Sequence, residues 1–336
     1  MFPSATVLSA LLFASAGLGD AAKRLAQIDH VDHASASVSV SVSVSALPSG
    51  FSRCLFYDDF SEPTGHLPDA SKWHIDLGTA YPGGGPDHWG TGEIQTYTSD
   101  AANMHVTREG TLKMTPVRAW DDTNGTWAWT SSRIETTPDW DFACPRGHRM
   151  RVEARIRLGG NPRSVSMGIW PAFWVLGSAY RSNYSAWPSV GEVDILESVN
   201  GEAKVWQTLH CGKYPGGVCN EPSGIGHVTE AVERASWHTL SWEVDRRKRP
   251  FGLGSESVSW LVDGERRWTL READLHGGKE AWHAVVANSK MVLLNVAVGG
   301  ALPNAIAKID TPTNATRGGD GAAMEVDYVA VYSWSP

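Results

Sequence analysis

From Phe51 onward the chain is a succession of short apolar or alternating runs, each cut off by Gly, Pro, Asn or Asp before it reaches helical length. Leu112–Thr115, Met150–Arg157, Val205–Leu209, Ser257–Val262, Met291–Ala297 and Glu325–Tyr332 are clear examples. Their Val, Ile, Trp and Thr content and their period of two suit pleated strands with one face buried. Helical periodicity is confined to one short stretch, 230–235. Many short strands in one domain favour a two-sheet antiparallel sandwich or jelly roll over a parallel α/β sheet. A propeller would need a repeat of about 20–50 residues, and the chain has none.

The length of 336 residues is compatible with one large all-β domain of about 200–250 residues plus an extension. Residues 51–336 are assigned to that domain. Residues 1–22 have the apolar texture of a secretory signal ending in small residues, although no Lys or Arg precedes the apolar stretch. Residues 23–50, with Ser alternating with Ala or Val from Ser35 to Ser45, read as a low-complexity linker. The carboxyl end carries no greasy tail, so a secreted, extracellular protein without membrane attachment is expected. Sequons at Asn124, Asn183 and Asn314 agree with that route and mark candidate glycosylation sites.

The net charge of -8 and pI near 5.8 leave no basic footprint for nucleic acid or anionic membranes. The 16 tryptophans matter more, because a flat indole face stacks on sugar rings as readily as on core neighbours.

Four cysteines form an even set that an oxidising compartment would pair. Cys211 and Cys219 are favoured partners because Gly216 and Gly217 let the chain turn back, which leaves Cys54 for Cys144. A zinc site built from His210, Cys211 and Cys219 lacks a fourth ligand at a usual spacing.

The chemistry points to Gly191-Glu-Val-Asp-Ile-Leu-Glu197, where three acids crowd a strand-like run at a cost in solvation and repulsion. Strand parity puts Glu192 and Asp194 on one face but Glu197 on the other. A β-bulge near Ile195-Leu196 would return Glu197 to the face of the other two. The two glutamates would then stand close to the roughly 5–5.5 Å separation used by retaining glycosidases. On that reading Glu192 is the nucleophile, Glu197 the acid and then the base, and Asp194 hydrogen-bonds to the nucleophile and separates the two pKa values. An exposed polar strand face, or a calcium site made of the same oxygens, stays open from spacing alone.

The run Trp187-Pro-Ser-Val-Gly-Glu-Val-Asp-Ile-Leu-Glu-Ser-Val-Asn200 resembles the signature of glycoside hydrolase family 16, in the laminarinase-like branch with E-x-D-x-x-E spacing. Five further stretches match in order: His88–Thr98, Thr130–Ile134, Gly168–Gly177, Leu294–Gly300 and Met324–Val329. The resemblance implies a concanavalin A-like β-jelly roll of two packed antiparallel sheets, with the acids in a concave cleft. It implies a retaining endo-hydrolase of β-1,3 or mixed β-1,3/1,4 glucan, with a β-linked polysaccharide as partner and no cofactor needed for catalysis.

It also implies sugar-binding roles for Trp170, Trp174, Arg133 and His210, with Trp89 as a further stacking candidate. Trp170 and Trp174 share parity, so both face the cleft or both the core. Arg133 would be buried near the acids and donate to hydroxyls, or lie on the surface; His210 would be a sugar ligand or a structural histidine. Asp327 occupies the place where some members bind a structural calcium. Because Ala301-Leu-Pro-Asn304 lacks a tryptophan common in glucan-active members, a β-1,3-galactanase, a cell-wall transglycosylase and a non-catalytic glucan-binding protein remain open. A monomer is expected.

Overall fold

A computed structural model describes residues 47–247 and 256–336. The signal segment and nearly all of the linker lie outside the described residues, but Leu47 already packs against the cluster of Phe51 and Tyr332.

The strands in chain order are β1 (Arg53–Asp58), β2 (Trp73–Ile75), β3 (Thr96–Tyr97), β4 (Met104–Val106), β5 (Leu112–Met114), β6 (Val117–Asp121), β7 (Thr126–Ser131), β8 (Arg133–Thr136) and β9 (Arg149–Leu158). They continue with β10 (Ile169–Gly177), β11 (Glu192–Glu197), β12 (Lys204–His210), β13 (Ile225–Glu230), β14 (Trp237–Asp245), β15 (Ser257–Val262), β16 (Glu265–Arg271), β17 (Lys290–Val298) and β18 (Met324–Trp334). Two short helices, α1 (Lys279–Ala287) and α2 (Ala301–Ala307), complete the set used below.

One antiparallel sheet runs β13-β12-β11-β10-β17-β8-β2, and the other runs β16-β15-β14-β9-β18-β5-β4 with β1 also on β18. A small third sheet, β3-β7-β6, extends from the start of β8. This is the two-sheet sandwich that the run lengths predict.

The core lies between the large sheets. From the first come Phe173, Val175, Val193, Ile195, Val205, Leu209 and Leu294, and from the second Val152, Ile156, Trp242, Val258, Trp260 and Val329. Alternation decides which side chains go inward: along β12, Val205, Gln207 and Leu209 are buried, while Trp206, Thr208 and His210 on the opposite face are partly exposed. Trp242 is wholly enclosed, and truncating such a ring to Ala costs about 3–5 kcal/mol.

The short helix anticipated at 230–235 is absent, since Ala231 and Ala235 both take positive φ, 59° and 63°, which no right-handed helix accommodates. Helices form instead where Trp282, Val285 and Val286 recur at helical spacing on α1, and where Pro303 sits near the start of α2.

Candidate active site

Residue 195 is the hinge of the site. On the β10 side Trp174 pairs with Asp194 and Phe173 with Leu196, so Ile195 has no partner. On the β12 side Asp194 faces Thr208 and Glu197 faces Trp206, two residues against one. This is the bulge that parity requires. Ile195 and Leu196 both enter the core, and Glu197 returns to the face of Glu192 and Asp194. At the broken rung, the Trp260 indole reaches from the opposite sheet and donates to the Asp194 carbonyl at 2.9 Å. Gly191, at φ 77°, leads into β11 with the α1 backbone 3.0 Å from where a Cβ would stand.

Across the ladder, Glu192 lies opposite His210. His210 Nε2 is 3.4 Å from Asp194 Oδ2 and 4.0 Å from Glu192 Oε1, and its Nδ1 is 2.7 Å from Glu221 Oε2. Burial pulls the imidazole down, but the Glu221 hydrogen bond and the charges of Asp194 and Glu192 outweigh it and raise it to about 10. His210 is therefore a cation at neutral pH. Glu192, Asp194 and His210 bring ligand atoms within 4.8 Å of one another, and a metal held there would have to displace the imidazole proton.

Burial is the largest influence on all three acids, and it raises each one. For Glu192 the His210 cation, Arg133 and the Trp187 indole oppose the rise. Asp194, buried and crowded first by Glu197 and then by Glu192, is pushed well above the ordinary aspartate range. Glu197 is held at about 7, with His210 and the Trp170 hydrogen bond pulling against burial. The arrangement separates an acid held near neutrality from a carboxylate supported by a cation.

Trp170 and Trp174 face the same side as the acids, with Phe173 and Val175 turned to the core. The Trp170 indole donates to Glu197 Oε1 at 2.9 Å, and that of Trp174 to Asn295 Oδ1 at 2.8 Å. Gly300, at φ 100°, lies where a Cβ would come 3.2 Å from the Trp170 ring. In place of the missing tryptophan, Leu302 and Ile306 of α2 pack beside Trp170 and Trp206.

The match with known proteins fits this geometry. Residues 161–235, which include all three acids, match the XgeA-like, catalytic GH16 domain. The chain is 41% identical to an endo-1,3-beta-glucanase from Streptomyces sioyaensis, covering 87% of this chain and 99% of that one with a TM-score of 0.77. The chain belongs to glycoside hydrolase family 16. This family 16 chain is also 28% identical to the endo-beta-1,3-glucanase of Pyrococcus furiosus, with 84% and 95% of the two chains covered and a TM-score of 0.63. It is 26% identical over 275 residues to a glucan endo-1,3-beta-glucosidase of Cryptopygus antarcticus, covering 79% of this chain and 88% of that protein.

Arg133 and Trp89 are both engaged by neighbouring side chains. Arg133 is buried, but its Nε donates to Asp76 at 2.9 Å and its Nη2 to the Tyr81 hydroxyl at 2.6 Å, not to the three acids. Its guanidinium carbon lies 4.5 Å from the Trp89 ring centre and 5.0 Å from that of Trp174. It holds these indoles from beneath. Trp89 is packed against Tyr81 and Tyr97 rather than presented as an open stacking face.

Cys211 and Cys219 are bonded, as the glycines between them suggest, but Cys54 and Cys144 are free. Cys54 belongs to the outer cluster with Phe51, Ala330 and Tyr332, whereas Cys144 sits in the core between the sheets. Opposite sides of one sheet cannot be bridged. Asp327 Oδ2 accepts from Arg155 Nη1 at 2.8 Å; a guanidinium stands where a cation would bind, so these residues do not fit a calcium ion. Asn124, Asn183 and Asn314 are all exposed.

Three residues of the site carry no signal in a linear reading. Trp187 lies beside Glu192 and 5.6 Å from the His210 ring. Trp206 is carried by β12 parity opposite Glu197. Glu221 reaches His210 only through the fold of the disulfide loop.

Proposed function

We propose that this chain is a secreted, glycosylated endo-acting hydrolase of β-1,3-glucan that retains anomeric configuration and accepts mixed β-1,3/1,4 chains as a secondary substrate. The observation that carries the reading is the alignment of Glu192, Asp194 and Glu197 on one face across the Ile195 bulge, in a family 16 chain close in sequence to β-1,3-glucanases.

In the first step the Glu192 carboxylate attacks the anomeric carbon while the proton of Glu197 passes to the departing glycosidic oxygen and the glycosidic bond breaks. The His210 cation and the Trp187 indole favour the anionic Glu192 that this needs. Glu197, held at about 7, carries the proton through mildly acidic pH. In the second step Glu197 takes a proton from water, whose oxygen bonds to the anomeric carbon and frees Glu192. Asp194, between the two, is placed to hydrogen-bond to the nucleophile and to separate the pKa values of the two glutamates. Trp170 and Trp174 offer ring faces to the glucan, their N–H groups being already engaged.

Reducing-end release from laminarin, mixed-linkage glucan and β-1,3-galactan, measured side by side, tests the substrate. Laminarin is expected to be cleaved fastest and galactan not at all; release from galactan alone would overturn the reading. Glu192→Gln is expected to bind laminarin and fail to hydrolyse it, and undiminished turnover would remove Glu192 from the mechanism.

A further inference from the structure

We propose that Glu221 is a positioning residue for the reaction, acting through His210 to keep a cation beside the nucleophile; the inference rests on the reading of Glu192 as that nucleophile. Glu221 lies outside the acid strand and close to the Cys211–Cys219 disulfide. Its carboxylate is buried, with both oxygens spoken for. Oε2 meets His210 Nδ1 at 2.7 Å, and Oε1 accepts the backbone N–H of Cys211 at 2.7 Å. One side chain thus grips the histidine and the end of the strand that carries it.

The loop is built to hold that grip. The disulfide closes it, and Gly216 and Glu221 exchange two backbone hydrogen bonds of 2.7 Å. From the other side Gly224, at φ 69°, lies so close that a Cβ there would stand 2.9 Å from His210 Cε1. The ring is left with one orientation, Nδ1 to Glu221 and Nε2 toward Asp194 and Glu192. Glu221 meets the Nδ1 side of the imidazole while the acids lie on the Nε2 side, and its charge there favours the doubly protonated ring.

The charged and titratable groups facing His210 are Glu221 from the loop and Asp194 and Glu192 from β11, and the field of His210 reaches Glu197. Trp187 covers its ring. A cation here favours ionised Glu192 and Glu197 alike. If Glu221 is made neutral, the His210 cation is weakened and Glu197 rises. At Glu192 the loss of the Glu221 charge acts against the weakening of His210, so the alkaline limb of kcat/KM, set by Glu197, moves upward more than the acid limb.

Glu221→Gln is therefore expected to shift the alkaline limb of the laminarin profile to higher pH by about one unit, a change of roughly tenfold in kcat/KM on the alkaline side. Glu221→Asp, which keeps the charge, should restore much of the original position. In a His210→Gln background, Glu221→Gln should move the alkaline limb no further. A profile lowered uniformly without displacement would mean that Glu221 only holds the loop, and would overturn the proposal. Should the variants fail to fold, nitrogen-15 NMR titration of the wild-type imidazoles decides: His210 protonated through neutral pH supports the proposal, and titration at an ordinary histidine value overturns it. Turnover retained by Glu192→Gln would instead defeat the nucleophile assignment, whatever the His210 titration showed.

Discussion

The Trp170 indole nitrogen lies 2.9 Å from Glu197 Oε1, so the side chain proposed to face the glucan also tunes the proposed general acid. The hydrogen bond stabilises the charged form of Glu197 and pulls its pKa down against burial. Trp170→Phe keeps an aromatic face and removes the donor. Glu197 then rises, and because it must be protonated to act, the alkaline limb of kcat/KM is expected to move up by about one unit while KM rises. An alkaline limb that stays in place would show that the bond does not tune the acid.

Glu197 is raised from 4.5 to about 7 in the fold. The folded state therefore holds this proton more tightly than the unfolded chain, and stability falls as pH climbs from about 4.5 to 7. Glu197→Gln removes that charge penalty. The variant is expected to have a higher Tm than wild type above pH 7 and no advantage below pH 4.5, with kcat on laminarin reduced by about 10²–10⁴-fold. Thermal melts at the two pH values check the first expectation; equal Tm differences at both would contradict it.

Cys54 and Cys144 are buried thiols whose pKa burial pushes up to about 12, which leaves little thiolate to react. Titration with a thiol reagent should find no reactive group in the native protein and two after denaturation without reductant. No thiol after denaturation would mean that the second disulfide forms.

Arg133 joins Asp76 by a buried ion pair and lies beside Trp89 and Trp174. Arg133→Met would strand Asp76, whose pKa burial raises to about 6 even with Arg133 opposing it. A loss of about 3–5 kcal/mol in stability is expected from urea unfolding, together with weaker laminarin binding as Trp174 loses its support. A change below about 1 kcal/mol would mean that water replaces the guanidinium.

The acid strand was legible because strand alternation is strict: Glu197 had to be returned by an extra residue, and Ile195 is that residue. The sandwich followed from run length in the same way, and parity put Trp170 and Trp174 on one common face, which the fold turns to the side of the acids. What failed were inferences needing the third dimension. An even cysteine count suggested a Cys54–Cys144 bridge, but pairing depends on which side of the sheet each thiol occupies. Arg133 is buried with its charge felt at Glu192, as expected, but its partners Asp76 and Tyr81, more than fifty residues away in the chain, could not be read from spacing. Glu221 was invisible because its partner, eleven residues earlier, is reached only by the fold of the disulfide loop.

A covalent glycosyl-enzyme at Glu192 is the central step of the proposed reaction, and the anomeric form of the first product reports on it directly. Proton NMR during the first minutes of laminari-oligosaccharide cleavage should show the β-anomer of the new reducing end appearing first, with the α-anomer growing only by mutarotation. Initial formation of the α-anomer would mean that water attacks directly, and would contradict the assignment of Glu192 as nucleophile.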